Sequence, residues 1–271
     1  ALLVLLMLSI CYMNGRKAKL VDEVSENDSQ DEEEAIPLKK SIPMLFKNKY
    51  WVILILFNLI TQITNSIAAT SGTYYCKWIF GNDNLVALAG ALGFFATLVG
   101  FVVSKPIIAK LGVRKTIDFG VLGAAFTALI RCIIPTNFKV YIAVGVIGSF
   151  VQIPLMCLYG VLLAMVIDYN EYTYYNKMVG VSSGAIGIGT KIGSGVGSVI
   201  LTACLALGAY NPDLEVATTS MRYAIYAFSN YLPLIINLGL FVLFRFFDLE
   251  EKLPAIHEEL ARRRSQKSTE Q

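Results

Sequence analysis

The chain has 271 residues, of which 55% are hydrophobic and only 16% charged, and its formal net charge is +3. With a mean hydropathy of +0.59, that balance excludes an ordinary soluble domain and places the protein in a membrane. The 23 Lys and Arg and the 20 Asp and Glu crowd into short segments between apolar runs, which leaves no continuous basic surface and excludes nucleic acid as a partner.

Ala1 to Met13 is apolar but too short to cross a bilayer, and no basic segment precedes it, so it reads as the end of a truncated transmembrane helix. Residues 14–48 form a polar linker with a basic start, an acidic run from Asp31 to Glu34, and Pro37 and Pro43. That run is expected to be a solvated loop. Six apolar stretches of helical length follow, at about 49–75, 85–109, 116–134, 138–168, 181–209 and 220–247, separated by turns carrying Gly, Asn, Asp or Pro. No strand pattern interrupts them, and the expected fold is an all-α, six-helix transmembrane bundle over 49–247 with a charged tail over 248–271. Of the Lys and Arg, 18 fall in the linker, the tail and the loops on their side, whereas Lys77, Arg131, Lys139 and Arg222 fall on the other. The positive-inside rule then makes linker and tail cytoplasmic, in a cell (inner or plasma) membrane.

Lys191 is the one remaining cation, and it lies near the middle of a span. On insertion scales a cation there costs roughly 2.5 to 3.5 kcal/mol, so it needs a partner or a task. Gly187 and Gly195 fall one helical turn on either side and leave the ammonium uncrowded. Thr190, Ser194, Ser198 and Thr202 form an adjoining polar stripe. Ala185, Gly189, Gly193 and Gly197 make a third stripe, of small residues, on which another helix can pack closely. The segment Gly184 to Lys191 has the glycines of a phosphate-binding loop, but the final Thr-Lys order is reversed and no strand precedes it, so an NTPase is excluded.

In the first full span Asn58, Gln62 and Asn65 share one helix face. Three amides there are costly unless they meet water, a ligand or one another, and the preferred account is a polar cavity. Gln152, Pro154 and Tyr159 add a weaker polar feature in the fourth span. At its end comes Asp168-Tyr-Asn-Glu171-Tyr172, whose carboxylates are placed to pair with Arg114 or Lys115 and latch one conformation. The five cysteines are spread singly and the sole histidine, His257, is in the tail. No disulfide framework, metal site, cofactor site or catalytic triad can be assembled, and an enzyme is not expected.

The run Val166 to Tyr172, followed some twenty residues later by Lys191 in a small-residue helix, the turn Gly208-Ala-Tyr210-Asn211-Pro212 and the ending Arg245-Phe-Phe resemble the C-terminal half of the glycoside–pentoside–hexuronide:cation symporters of the major facilitator superfamily. The resemblance covers nearly the whole chain. It implies a twelve-helix transporter of which this chain holds the end of the sixth helix and helices seven to twelve. It further implies that Lys191 lies near the sugar and cation sites; the polar faces read above then place Asn58, Gln62, Asn65, Gln152, Tyr159, Thr190 and Ser194 along the expected substrate and cation pathway. It also implies that the box Asp168 to Tyr172, with Glu171, belongs to a cytoplasmic gate, for which Arg114 and Lys115 are the expected cationic partners. Lys110-Leu-Gly112-Val-Arg114-Lys115 resembles the later part of the superfamily's loop motif, although Ala109 stands where its Asp is usual, Met165 where an acid is frequent, and Met156 where some sugar-binding relatives have Trp.

The expected function is therefore secondary active transport of a sugar or glycoside, hexuronides included, coupled to Na⁺ or H⁺. Its partners would be the substrate, the cation, the lipid bilayer and an N-terminal six-helix bundle of the same protein. A passive facilitator or channel, or a membrane sensor that does not transport, is the alternative.

Overall fold

The computed structural model describes residues 38–269 of the chain, side chains included over 40–266. The expected helix end at 1–13 and most of the linker lie outside the described residues. Every regular element among the described residues is a helix: α1 (Leu38–Lys47), α2 (Lys49–Trp78), α3 (Leu85–Ile133), α4 (Phe138–Tyr174), α5 (Val179–Leu207), α6 (Thr219–Tyr226), a π-helical turn (Ala227–Tyr231), α7 (Leu232–Phe244) and α8 (Leu249–Thr269). Five stretches are long and apolar enough to cross a membrane: α2, α3, α4, α5, and α6 to α7 taken together.

Asn48 starts α2, its side-chain oxygen accepting from the Tyr50 and Trp51 amides at 2.9 and 3.3 Å. Its Nδ2 donates to Asn170 Oδ1 at 2.8 Å, which ties the start of α2 to the last turns of α4. Asn137 caps α4 in the same way. At the opposite end of the bundle Tyr75, Trp78, Tyr141, Met221, Ile225 and Phe228 form a buried core.

The expected loop over 110–115 contracts to a single residue. α3 runs 49 residues, but Gly112 has φ 75° and ψ 176°, so the helix is two arms meeting there. At 1.5 Å per residue the arms measure about 40 and 30 Å, each enough for a bilayer core. Together with the four other stretches they supply six crossings. Only glycine adopts that backbone conformation without strain. Gly112→Ala is expected to cost about 1–3 kcal/mol, read as a lowered midpoint in a thermal unfolding assay, because its Cβ would also lie 3.3 Å from Glu250 Oε1.

Both arms of α3 pack on α4. A Cβ at Gly100 in the first arm would fall 2.9 Å from Ile153 Cγ1, and one at Gly120 in the second would fall 2.8 Å from Leu155 Cβ. The pairing of α2 with α5 is equally close. Only 11 to 39% of the most apolar window of each crossing is buried within the chain. Phe94, Phe95, Val99 and Val102 on the first arm are all more than half exposed. So wide an apolar surface calls for lipid or further protein around it.

The charged tail is a helix and not a loose end. Leu249, Ile256 and Leu260 are buried, and α8 packs along α4. Residues 38–47 are likewise helical, where a linker is expected from sequence.

Candidate functional site

Lys191 occupies the middle of α5 and is exposed. Its ammonium has no hydrogen bond or ion pair among the described residues. A Cβ at Gly187 or Gly195 would meet nothing within 4 Å, so the surface above and below the lysine is open. Gly189, Gly193 and Gly197 lie on the opposite, buried face of α5. There a Cβ at Gly193 would fall 2.7 Å from Leu59 O, and one at Gly197 2.7 Å from Ile63 O. The two helices therefore touch backbone to backbone.

The polar stripe of α5 runs along the edge of this contact. Thr190, Ser194, Ser198 and Thr202 each donate to the carbonyl four residues earlier, at 2.9 to 3.1 Å. Across the contact Thr190 Oγ1 lies 3.3 Å from Asn58 Oδ1, and Ser66 donates to Ser194 O at 3.0 Å. Asn58 is buried, and the Tyr159 hydroxyl beside it is buried without a well-aligned hydrogen bond. The three amides of α2 do not share one cavity. Gln62 lies against Gly193, while Asn65, unlike Asn58, lines a cleft of about 340 Å³ that Gln152 also lines. Their spacing keeps them near one helix face, and it is the packing of α5 that covers one part of that face and leaves another part open.

At the Lys49 end the carboxylates take other partners than those expected. Asp168 Oδ2 lies 2.9 Å from His257 Nε2, and Glu171 accepts from Arg264 at 3.0 and 3.1 Å. Arg263 donates to Tyr172 O at 3.0 Å, with its guanidinium 5.2 Å from the Tyr172 ring centre. Arg114 instead donates to Phe247 O at 3.1 Å, and Lys115 is exposed without a partner among the described residues. The cause is α8, which lies along α4 and brings its own cations to the acidic box. Arg114, at the start of the second arm of α3, is occupied at the turn before α8.

That turn is itself closed by charge. Asp248 accepts from Lys49 and Tyr50 at 2.9 and 2.8 Å and pairs with Lys252 at 2.7 Å. The ammonium of Lys252, then that of Lys49 and the Tyr50 hydroxyl, hold the Asp248 carboxyl well below the usual carboxylate range. The contribution of such a depressed group is complete above about pH 4 and is lost only as pH falls through its lowered value. Acidification to pH 5 is therefore expected to leave this tie intact. Glu250 accepts from the Val113 and Arg114 amides at 2.9 and 2.8 Å, capping the second arm of α3.

Arg131 stands among loop cations when the sequence is read alone. In the structure it lines the same cleft as Asn65 and Gln152. A signal was present: it is the only charged residue between Asp118 and Lys139, inside an apolar run.

The chain is thus a multi-pass membrane protein, all-helical among the described residues, with a polar strip on one transmembrane helix and a lysine there that is unpaired among the described residues. Its residues 1–251 match the family model described as MFS/sugar transport protein, and the chain belongs to that family. Among curated relatives, YagG of Escherichia coli (strain K12), whose name proposes a glycoside/cation symporter, is 19% identical over 83% of this chain and 50% of its own length. An isoprimeverose transporter of Lactiplantibacillus pentosus is 28% identical over 65% of this chain and 37% of its own. The uncharacterized symporter YnaJ of Bacillus subtilis (strain 168) is 23% identical over 82% and 48%. The chain spans about half the length, or less, of these relatives, which are named as transporters and not as enzymes.

Proposed function

We propose that the protein containing this chain carries a sugar or glycoside across the membrane, coupled to Na⁺ or H⁺, by alternating access. In this reading the chain is the C-terminal six-helix half, the linker and tail are cytoplasmic, and substrate binds at the bilayer midplane against a second bundle. The observation that carries the proposal is Lys191: a cation at mid-membrane, unpaired among the described residues and left open by Gly187 and Gly195. Its complement is then a substrate hydroxyl or carboxylate, or an acid of the other half. The names of the relatives speak for a glycoside substrate and a cation as the drive. A membrane potential of 100 mV supplies about 2.3 kcal/mol per charge moved.

The test is uptake into vesicles reconstituted with the full-length protein, across a panel of neutral glycosides and uronides, under imposed Na⁺ or H⁺ gradients. Accumulation above the outside concentration that depends on one of the two gradients is expected. Equilibration without accumulation would establish a passive facilitator instead, and no specific flux would leave a non-transporting sensor.

The acidic box gives a separate prediction. The ties of Asp168 to His257 and of Glu171 to Arg264 are largely exposed and worth about 0–1 kcal/mol each. As a cytoplasmic gate they act together, and they touch no substrate. Asp168→Asn with Glu171→Gln is expected to change the transport rate several-fold while sugar affinity stays within about twofold. A changed affinity at an unchanged rate would refute the gate.

A further inference from the structure

The cleft of about 340 Å³ lies apart from Lys191, Asn58 and Tyr159, none of which lines it. It is at the lower end of the volume range of small-molecule sites. Polar side chains reach it from four helices: Asn65 and Ser71 of α2, Arg131 of α3, Ser149 and Gln152 of α4, and Asn237 of α7. Ser229 joins them from the π-helical turn, and such turns are frequent at functional sites.

Among the described residues Arg131 is the only charged one lining the cleft. Its guanidinium carbon sits 4.5 Å over the Tyr141 ring, and that ring is stacked on Tyr75 with centres 4.8 Å apart. Tyr75 is fixed in turn, donating to Pro135 O at 2.7 Å and accepting from Asn230 at 3.1 Å. The guanidinium thus rests on a rigid aromatic floor. Gly145 makes the room for it, since a Cβ there would fall 2.9 Å from Arg131 Nη2. No acid pairs with Arg131 among the described residues. Its Nε and the Ser229 hydroxyl are both buried without a hydrogen-bond partner there.

A cation held in place, with donors left unsatisfied and no acid at hand, is a site lacking only its anion. We propose that this cleft binds a small monovalent anion, a halide or a carboxylate, with Arg131 as the charge partner and Ser229 as a hydroxyl donor. The aromatic floor orients the guanidinium without neutralising it, because a ring face supplies no formal charge. This site stands independently of the role given to Lys191.

The experiment is thermal unfolding of the purified full-length protein in detergent, titrated with chloride, acetate or uncharged acetamide. A bulky sulfonate holds the ionic strength constant. The midpoint is expected to rise by roughly 3 °C with saturating chloride or acetate and not with acetamide. A response to acetate alone identifies a carboxylate site, and one to both identifies a general anion site. Arg131→Gln removes the response, and Gly145→Ala, which keeps the arginine but takes its room, weakens the apparent affinity about tenfold. No rise in the wild type, or the same rise in Arg131→Gln, overturns the proposal. Should Arg131→Gln fail to fold, an unchanged affinity in Gly145→Ala overturns it as well.

Discussion

Uphill sugar accumulation by the full-length protein is expected to fall at least tenfold when Lys191 is replaced by Gln or Ala. A hydrogen bond to a charged donor is worth about 1.5–3 kcal/mol, which corresponds to roughly 10- to 150-fold in affinity. The helix itself loses nothing by the change, since the exposed ammonium makes no hydrogen bond or ion pair among the described residues and Gly187 and Gly195 leave the surface beside it open. Folding and membrane insertion should be preserved or improved, because a cation is removed from the middle of a crossing. Lys191→Arg keeps the charge but replaces a compact ammonium by a planar fork, and partial activity at most is expected. The measurement is gradient-driven uptake beside a thermal unfolding midpoint. Wild-type accumulation by Lys191→Gln would sink the role assigned to this residue.

The opposite pattern is expected on the other face of the same helix. Gly193→Ala with Gly197→Ala puts methyl groups 2.7 Å from the Leu59 and Ile63 carbonyl oxygens, and 2.8 Å from the Gln62 and Ser66 Cβ atoms. Backbone atoms cannot yield as a flexible side chain can, so α2 and α5 must separate. Overpacking of this kind costs about 1–3 kcal/mol per site, and the pair should lower the unfolding midpoint by roughly 5–15 °C. The bond from Ser66 to Ser194 and the Thr190–Asn58 contact, which span the same seam, should be lost with it. Gly195→Ala is the control: its Cβ meets nothing, so the midpoint should stay within about 1 °C. A double variant as stable as wild type would show that the seam is not fixed at this distance.

Much of this architecture can be read from the sequence, for reasons that differ by element. The crossings declare themselves because a bilayer demands about twenty apolar residues in a row. The join at Gly112 is harder to see. Lys110, Arg114 and Lys115 make it look like a six-residue loop, whereas one positive φ lets the helix resume at once. The tail looks like solvated charge, yet Leu249, Leu253, Ile256 and Leu260 recur at helical spacing, a stripe that charge on the intervening residues obscures. The partners of Asp168 and Glu171 follow from that missed helix. His257 and Arg264 are some ninety residues away in sequence, and no local pattern could join them. The three amides of α2 show the limit of helical-wheel reasoning: spacing puts them on one face, but neighbouring helices divide that face between a buried seam and an open cleft.

The cap that Glu250 places on Val113 and Arg114 also sets an order of events. It joins residues 137 and 136 positions apart, so during synthesis the second arm of α3 is made long before its cap. Until the chain has grown past Glu250, those two amides have only water or lipid headgroups to bind. Three further crossings, α4, α5 and α6 to α7, are made in that interval, but the Lys49 end of the bundle still lacks the ties that α8 brings. A segment made well after the second arm of α3 is thus the one that completes it, and fastening of this end of the bundle waits on α8.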